Sequence, residues 1–336
     1  MPLYGSVKRS IMGFRAGVKV LLRKMLARYG FDIVPRMNIY DWQIKRFQME
    51  PSEIYLPEGA QSYLSPTNPV LESYERRYAN SNYPVNNVLL WTEDRVNSED
   101  ILYFRGHNAY VYQEGYNNRN IFGYLLAYYY LKSIDHLDLL GKLKEDNAFG
   151  AITYTIDGRT VTRDLLDSIL EISFLDRHLD LFGKKEFSVL DIGAGYGRSA
   201  HRMVKAFPNL KNFGCTDAIA VSSFIAEYYL KFRGIDNIAK MLPLDTVKKD
   251  IHINSFDLAI NIHSFSECTL AAIEWWLALL SENRISYLMI VPNSGTELLT
   301  QDKDNFRHLV EKFGYELLVM EPKYKDPIVQ KYALNP

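Results

Sequence analysis

Three glycines at alternate positions, Gly193, Gly195 and Gly197, follow a run of β-prone residues, and an acid, Asp191, stands two places before the first. Alternate glycines let a chain turn sharply and bring its backbone against a ligand. Phe187 to Ile192 is too continuously apolar for a one-sided strand and suits a central parallel strand buried on both faces. Arg198 to Phe207 reads as a helix, so the turn sits at a strand's carboxyl end and a helix N-terminus, where open α/β sheets bind ligands. Spacing excludes two common ligands. A dinucleotide turn needs G-x-G-x-x-G, and Arg198 occupies the position of its third glycine; a P-loop needs Gly-Lys-Ser/Thr at a distance where this chain has none. An acid beside the turn would also repel a pyrophosphate.

Leu210 to Thr216 reads as the next strand, and Asp217 closes it, 26 residues after Asp191. That is close to the spacing at which a carboxylate receives ribose hydroxyls in nucleotide-binding βαβ units. Asp217 also has the chemistry of an N-cap for a helix over Ala218 to Lys231, and the two roles are compatible. The acid followed by G-x-G-x-G resembles motif I of the class I S-adenosylmethionine-dependent methyltransferases. Their cofactor carries an ammonium, a sulfonium and a ribose, which suits flanking acids. The resemblance implies cofactor contacts at Asp191, Gly193, Ala194, Gly195, Gly197 and Asp217.

The elements that position these residues alternate. Asn237 to Leu242, Ser255 to Ile262 and Ile285 to Val291 read as third, fourth and fifth strands, with Trp275 and Trp276 in an intervening amphipathic helix. A helix over Asp304 to Phe313 and a strand over Tyr315 to Met320 follow, and Ile328 to Leu334 is expected to supply an antiparallel partner. Alternation through residues 186 to 320 predicts an α/β fold with a doubly wound, mostly parallel sheet. The resemblance makes it a seven-stranded, Rossmann-like methyltransferase sheet over residues 183–336.

Before it, residues 37–182 read as an acceptor-binding cap region, mainly helical. Five prolines break its first part, where Asn68 to Tyr78 and Ser98 to Phe104 have the length of short elements. His107 and Tyr110 to Tyr116 are candidate lining residues, with packing the simpler reading. Asn120 to Leu143 reads as helix. Phe149 to Tyr154 and Thr160 to Val161 form a predicted hairpin around Asp157-Gly158. Thr162 caps a predicted helix over Arg163 to Leu181. In the resembled family this helix closes over the cofactor, which would bring Arg163 to the methionine carboxylate; a solvated surface arginine is the alternative. Asp245, after the third strand, is a candidate for the adenine or a turn residue.

Methyl transfer to a hydroxyl requires a base, and histidine is the commonest choice. The first and fourth strands face the crevice together, and beyond the fourth stands Asn261-Ile262-His263-Ser264-Phe265-Ser266-Glu267. His263 is the candidate general base, against the reading of a hydrogen-bonded core histidine. Glu267 would orient it, bind a sugar hydroxyl or simply start the next helix; Asn261 would touch the cofactor or hold the loop. Asn261 and Glu267 have the oxygen donors that suit Mg²⁺, but without a compact acidic cluster metal-free base catalysis is preferred.

Thr-Arg-Asp-Leu-Leu-Asp (162–167), motif I, the 261–267 stretch and Glu-Pro-Lys-Tyr (321–324), in this order, resemble the sugar O-methyltransferases of bacterial glycan pathways over roughly the last 190 residues. That resemblance implies methylation of a sugar hydroxyl on a polysaccharide, lipid-linked or nucleotide-linked acceptor. Alternatives are a non-sugar small molecule or lipid acceptor, and a non-catalytic scaffold of the same fold.

Composition agrees with an enzyme core. The 336 residues are 47% hydrophobic with a net charge of −1, which argues against a general nucleic-acid binder. Two cysteines, Cys215 and Cys268, supply no disulfide framework or metal cluster, and a cytoplasmic setting follows as the default. Residues 1–36 hold eight cations against one acid, a net of +7 that leaves the rest at −8. Ile11, Phe14, Val18, Leu21, Leu22 and Met25 share one helical face, so residues 8–28 are a candidate peripheral contact with the inner membrane face. A basic helix packed on its own domain is the equal alternative. Oligomeric state is not legible.

Overall fold

A computed structural model describes residues 55–86, 101–106, 118–293 and 295–332, with isolated positions 22, 24–26, 28–29, 47–48 and 89. The chain divides into residues 1–49 and 50–336. In the first unit Leu22 and Lys24 to Leu26 are helical and Phe47–Gln48 (β1) is extended. Leu22 and Met25 of the expected apolar face are exposed; the rest of that predicted helix lies outside the described residues, as do His107 and Tyr110 to Tyr116.

The second unit is built on five parallel strands: β4 (Phe187–Ile192), β5 (Leu210–Thr216), β6 (Ala239–Met241), β7 (Leu258–Ile262) and β8 (Tyr287–Val291). Their order is β6-β5-β4-β7-β8. All six residues of β4 are buried, Ser188 and Asp191 included, as a central strand covered on both faces requires. The sheet starts at β4, grows outward to β6, and then returns to β4's other edge with β7. The direction of winding reverses between β4 and β7, which opens a crevice at their carboxyl ends.

Helices cover both faces, as expected for a doubly wound α/β fold. On one face Leu190, Ile192 and Ala259 pack with α5 (Ala220–Phe232) and α6 (Leu270–Glu282) through Phe224, Ile225 and Trp276. Across the other face, Ile260 and Ile262 meet Ile172 of α3 (Arg163–Leu179) and Met203 of α4 (Arg198–Ala206). Strands of alternating orientation therefore aim Asp191, a neighbour of Leu190 and Ile192, toward α3 and α4.

Upstream of the sheet, α1 (Pro69–Ala79) is capped by Asn68, whose Oδ1 accepts from Val70 N at 2.8 Å, with Pro69 at the first helical position. It lies on α5: Tyr74 Oη donates to Glu227 at 2.8 Å and Tyr78 Oη shares a hydrogen with Ser223 at 2.7 Å. Then come α2 (Asn118–Ile134) and the hairpin β2 (Tyr154–Ile156) and β3 (Arg159–Val161). Its turn residues Asp157 and Gly158 have φ of 50° and 74°. Positive φ at both central positions is the type I′ geometry that Asp-Gly favours.

The carboxyl end differs from expectation. Residues 315–320 form no ladder, and Leu317 and Leu318 are exposed. Beyond α7 (Arg307–Lys312), Pro327–Tyr332 is a helix (α8), not a strand. Asp326 Oδ1 accepts from Val329 N at 3.1 Å ahead of Pro327, a helix-start pair whose local chemistry overrides the apolar β-prone pattern. Without that antiparallel partner 315–320 stays outside the sheet, so five of the seven expected strands are present among the described residues.

A buried ionic network joins the first part of the unit to the core. Glu145 accepts from Arg105 and Arg202, each at 2.6 Å, and all three are almost fully buried. Burial alone would raise the Glu145 carboxyl, but Arg202 and Arg105 more than offset it and hold it down at about 2. Its folded value lies below its ordinary value of 4.5, so its stabilisation is present above about pH 4.5 and lost as pH falls toward 2. Glu145→Ala leaves two buried guanidiniums short of a partner and is expected to destabilise the fold by about 3–5 kcal/mol. Urea denaturation at pH 7 measures this; a loss below about 1 kcal/mol would refute the network's role.

Candidate active site

The glycine turn owes its shape to backbone conformations that side-chain-bearing residues avoid. Gly193, Gly195 and Gly197 have φ of 77°, 56° and 88°. The amides of Gly193 and Ala194 donate to Thr216 O at 2.9 and 3.1 Å, and Gly195 N donates to Asp217 Oδ2 at 3.0 Å. The turn is thereby tied to the end of β5. A Cβ at Gly193 would overlap the Ser264 side chain, whereas one at Gly195 would meet no described atom within 4 Å. Close approach to the β7 loop thus demands the first glycine, and the second opens onto free space.

Two carboxylates flank this turn. Asp191 is 2% exposed, and burial raises its carboxyl to about 7 despite the nearby Arg198 charge, with Glu171 and Asp217 pushing the same way. Asp217 is also buried and raised to about 7, although Ile219 N and Gly195 N donate to it. The helix beyond begins at Ala220, with Ile219 as its cap residue. Asp217 is therefore not the N-cap; its bond to Ile219 N, two residues on, is an Asx turn that leads into the helix. Two adjacent carboxyls held up by desolvation form a site whose charge a cation would restore.

Across the crevice, Asn261 is fully buried and its amide ties the two strand ends together. Its Nδ2 donates to Ile192 O at 2.9 Å, and its Oδ1 accepts from Phe265 N at 2.9 Å. It holds the loop. His263 follows at φ 69°, a left-handed conformation fixed by its N–H donating to Val291 O at 2.8 Å. A non-glycine residue held there costs of the order of 1–3 kcal/mol, a pattern concentrated at functional sites. Its Nδ1 has no hydrogen-bond partner among the described residues. Burial lowers the imidazole to about 4, aided by Lys323, Arg198 and Arg163 and opposed by Asp167. Glu267 lies on the other side: its charge bears on Asp217 and Cys268.

Two more expected residues have defined positions. Arg163 is 5% exposed, so it is not a solvated surface arginine; Thr162 caps α3 through Leu165 N at 3.0 Å, which sets Arg163 on its first buried turn. Its Nε lies 3.4 Å from Asp167. Asp245 engages Arg77 of α1 with both oxygens, at 2.8 and 2.9 Å, so its carboxylate belongs to the contact between α1 and the β6 loop. Both cysteines are buried free thiols, and burial pushes Cys268 up to about 12. No group of three or more His, Cys, Asp or Glu among the described residues has metal-holding geometry.

The sequence reading missed a stripe on α3. Asp164 accepts from Tyr196, Asp167 lies 2.6 Å from Lys323 Nζ, and Glu171 pairs with Arg198 at 2.9 Å. Positions i, i+3 and i+7 share one helical face, so the acids were visible as a stripe; their partners, in motif I and in the 321–324 stretch, were not.

No protein-family model and no curated protein sequence matches the chain. Three similar solved structures are these. The YcgJ protein from Bacillus subtilis is 19% identical over 32% of this chain and 44% of its own, with a TM-score of 0.25. A protein of Nostoc punctiforme taken for an O-methyltransferase is 16% identical over 36% of this chain and 35% of its own, TM-score 0.28. StiE O-MT is 18% identical over 42% of this chain and 47% of its own, TM-score 0.31. The chain spans between a third and a half of each, and the functional reading stands on the crevice residues.

Gly193 and Gly195 make a discriminating pair. Gly193→Ala adds a clash to a strained φ and is expected to destabilise the fold by about 1–3 kcal/mol. Gly195→Ala is expected to keep the protein folded, at a cost of about 1–2 kcal/mol, but to fill the open side of the turn. Thermal unfolding with ligand calorimetry separates the two; equal effects on both readouts would contradict the turn geometry.

Proposed function

We propose that this chain is an S-adenosylmethionine-dependent O-methyltransferase that methylates a sugar hydroxyl in glycan or polysaccharide assembly. One observation carries the reading: two buried carboxyls, Asp191 and Asp217, both raised to about 7, flank a positive-φ glycine turn at the point where the sheet reverses direction. That donor set fits the cofactor, since desolvated carboxyls answer a cationic group and the open side at Gly195 leaves room for backbone contact. Asp217, Asp191 and the turn residues Gly193, Ala194, Gly195 and Gly197 would hold it. When bound, S-adenosylmethionine supplies an electrophilic methyl group on a sulfonium.

The other wall of the crevice handles the acceptor's proton. A hydroxyl is a poor nucleophile until its proton leaves, and His263 is assigned to take it, a role supported by an Nδ1 with no hydrogen-bond partner among the described residues. Depression of the imidazole to about 4 keeps it neutral, and so able to accept, throughout the physiological range. Glu267, on the Asp217 side of the loop, is assigned to a hydroxyl contact rather than to orienting the histidine. Asn261 positions both walls. No metal step is included. The sugar acceptor rests on the resemblance of residues 162–167, 191–198, 261–267 and 321–324 to sugar O-methyltransferases. A cytoplasmic location with peripheral membrane contact through residues 8–28 belongs to the same proposal; no helix of the described residues is long and apolar enough to cross a membrane.

His263→Ala is expected to leave S-adenosylhomocysteine binding within about twofold while lowering turnover by roughly 10²–10⁴; near-normal turnover removes the imidazole from the mechanism. The two raised carboxyls set a pH dependence for the cofactor. A cation favours their ionised forms, so affinity for S-adenosylmethionine is expected to fall as pH drops through about 7, by up to about tenfold per unit per group. Asp217→Asn should flatten that profile. Calorimetry between pH 5.5 and 8.5 reads both, and affinity independent of pH would contradict the assignment.

A further inference from the structure

The Glu-Pro-Lys-Tyr stretch 321–324 is firmly docked. Glu321 pairs with Arg177 at 3.0 Å and Lys325 at 2.8 Å, Lys325 N donates to Tyr130 Oη at 3.0 Å, and the Tyr324 and Tyr130 rings meet edge to face at 5.4 Å. This clamp places Lys323 Nζ 2.6 Å from Asp167 Oδ1, while Arg163 Nε lies 3.4 Å from Asp167 Oδ2. Two cations thus lean on one carboxylate. Burial, Lys323, Arg198 and Arg163 lower the His263 imidazole and Asp167 opposes them, while Glu171 pairs with Arg198.

Two further features lie beside this cluster. Tyr324 is 1% exposed and Tyr124 is fully buried, and neither hydroxyl has a partner among the described residues. The Tyr324 hydroxyl is raised by burial and feels both Asp167 and Arg163, so it belongs to the same pocket. A buried hydroxyl without a partner among the described residues, close to Arg163 as well as to Asp167, is a donor without an acceptor. Free energy of the order of 1–3 kcal/mol is forfeited by leaving such a group unmet.

We infer that this pocket receives an anionic group of the methyl acceptor, a phosphate or carboxylate on the sugar, held by Lys323 with Arg163 and the hydroxyl of Tyr324. The inference deepens the proposed function and rests on it. It also answers a difficulty in that reading. An imidazole facing three cations holds a proton poorly, so proton transfer to His263 is uphill in the empty crevice. An anion between Lys323 and Arg163 offsets those charges, and the acceptor thereby strengthens the base that activates it. Neutral sugars lack that effect.

Calorimetry on the full chain tests this with glucose 1-phosphate, glucuronate and glucose, each with and without saturating S-adenosylhomocysteine. Saturable heat is expected for the two anionic sugars and not for glucose. Lys323→Met is expected to weaken the anionic sugars at least about tenfold, the scale of one charge-assisted hydrogen bond, and to leave S-adenosylhomocysteine within about twofold. Lys323→Arg should restore most of the loss. Tyr324→Phe, which removes a hydroxyl without disturbing an ion pair, should weaken the anionic sugars several-fold with thermal stability maintained or raised, and it serves if Lys323→Met fails to fold. Equal binding of glucose and glucose 1-phosphate overturns the inference, as does loss of S-adenosylhomocysteine in Lys323→Met, which would give the lysine to the cofactor's carboxylate. Anionic sugar binding without any S-adenosylhomocysteine binding would sustain the pocket and sink the methyltransferase reading.

Discussion

Three carboxylates on one stripe of α3 hold the crevice together. Asp164 grips Tyr196 within the glycine turn, Glu171 grips Arg198 at the start of α4, and Asp167 grips Lys323 of the carboxyl-terminal segment. A single helix thereby fixes two segments that are far apart in sequence, the glycine turn with the start of α4 and the carboxyl-terminal stretch. Its own start is set by Thr162, whose hydroxyl caps the helix and also reaches Glu145 of the buried ionic network. Helix α3 is therefore registered against the core at both its first turn and its middle. Buried ion pairs of this kind add little net stability over packed hydrocarbon, but losing one partner is costly, which makes them effective at enforcing one arrangement.

The crevice carries a cost that the rest of the fold must offset. Asp191 and Asp217 have folded values above the ordinary 3.8, so ionising them opposes folding as pH rises from about 4 through 7. His263 sits in a strained backbone region, and its imidazole is held below its ordinary value by burial and neighbouring cations. Glu145 and Asp146 are shifted the other way, downward, by the arginines that clamp them. Stabilising carboxylates thus lie in the network behind α4, and destabilising ones face the glycine turn. Such a division is expected where a site is preorganised for a ligand's charge rather than for its own stability.

Much of this was legible in the chain. The β4 boundaries, the positive-φ glycines, the Asp-Gly hairpin and the Thr162 cap follow from local steric and hydrogen-bond rules that act within a few residues. What escaped was decided by distant partners or competing local signals. Asn68 to Tyr78 is legible as a short element but not as helix or strand, and the Asn68 cap with Pro69 at the first helical position decides for helix. Asp326-Pro327 is another such start, and it turned an expected strand into α8. Arg163 is open to a surface reading as well as a cofactor one because nothing nearby in sequence shows that Tyr124 of α2 and Tyr324 lie close to it. Asp245 reads as a loop acid because Arg77 lies 168 residues away.

The loop over 261–267 separates two electrostatic environments. On one side Asp217 feels the charge of Glu267 at the glycine turn; on the other Lys323 and Arg163 face the imidazole, while Arg198 bears on both Asp191 and His263. Asn261, uncharged, hydrogen-bonds to Ile192 O and Phe265 N where the two strand ends meet. In a low-dielectric crevice like charges resist being brought together, so the two walls select ligands of opposite sign, and each ligand relieves the wall it meets. A cationic donor and an anionic acceptor would then attract one another across the short gap that the loop leaves. Under the proposed function this arrangement would bring the reacting groups together through the field of the site itself, with a basic cluster around the imidazole assigned to gain a proton.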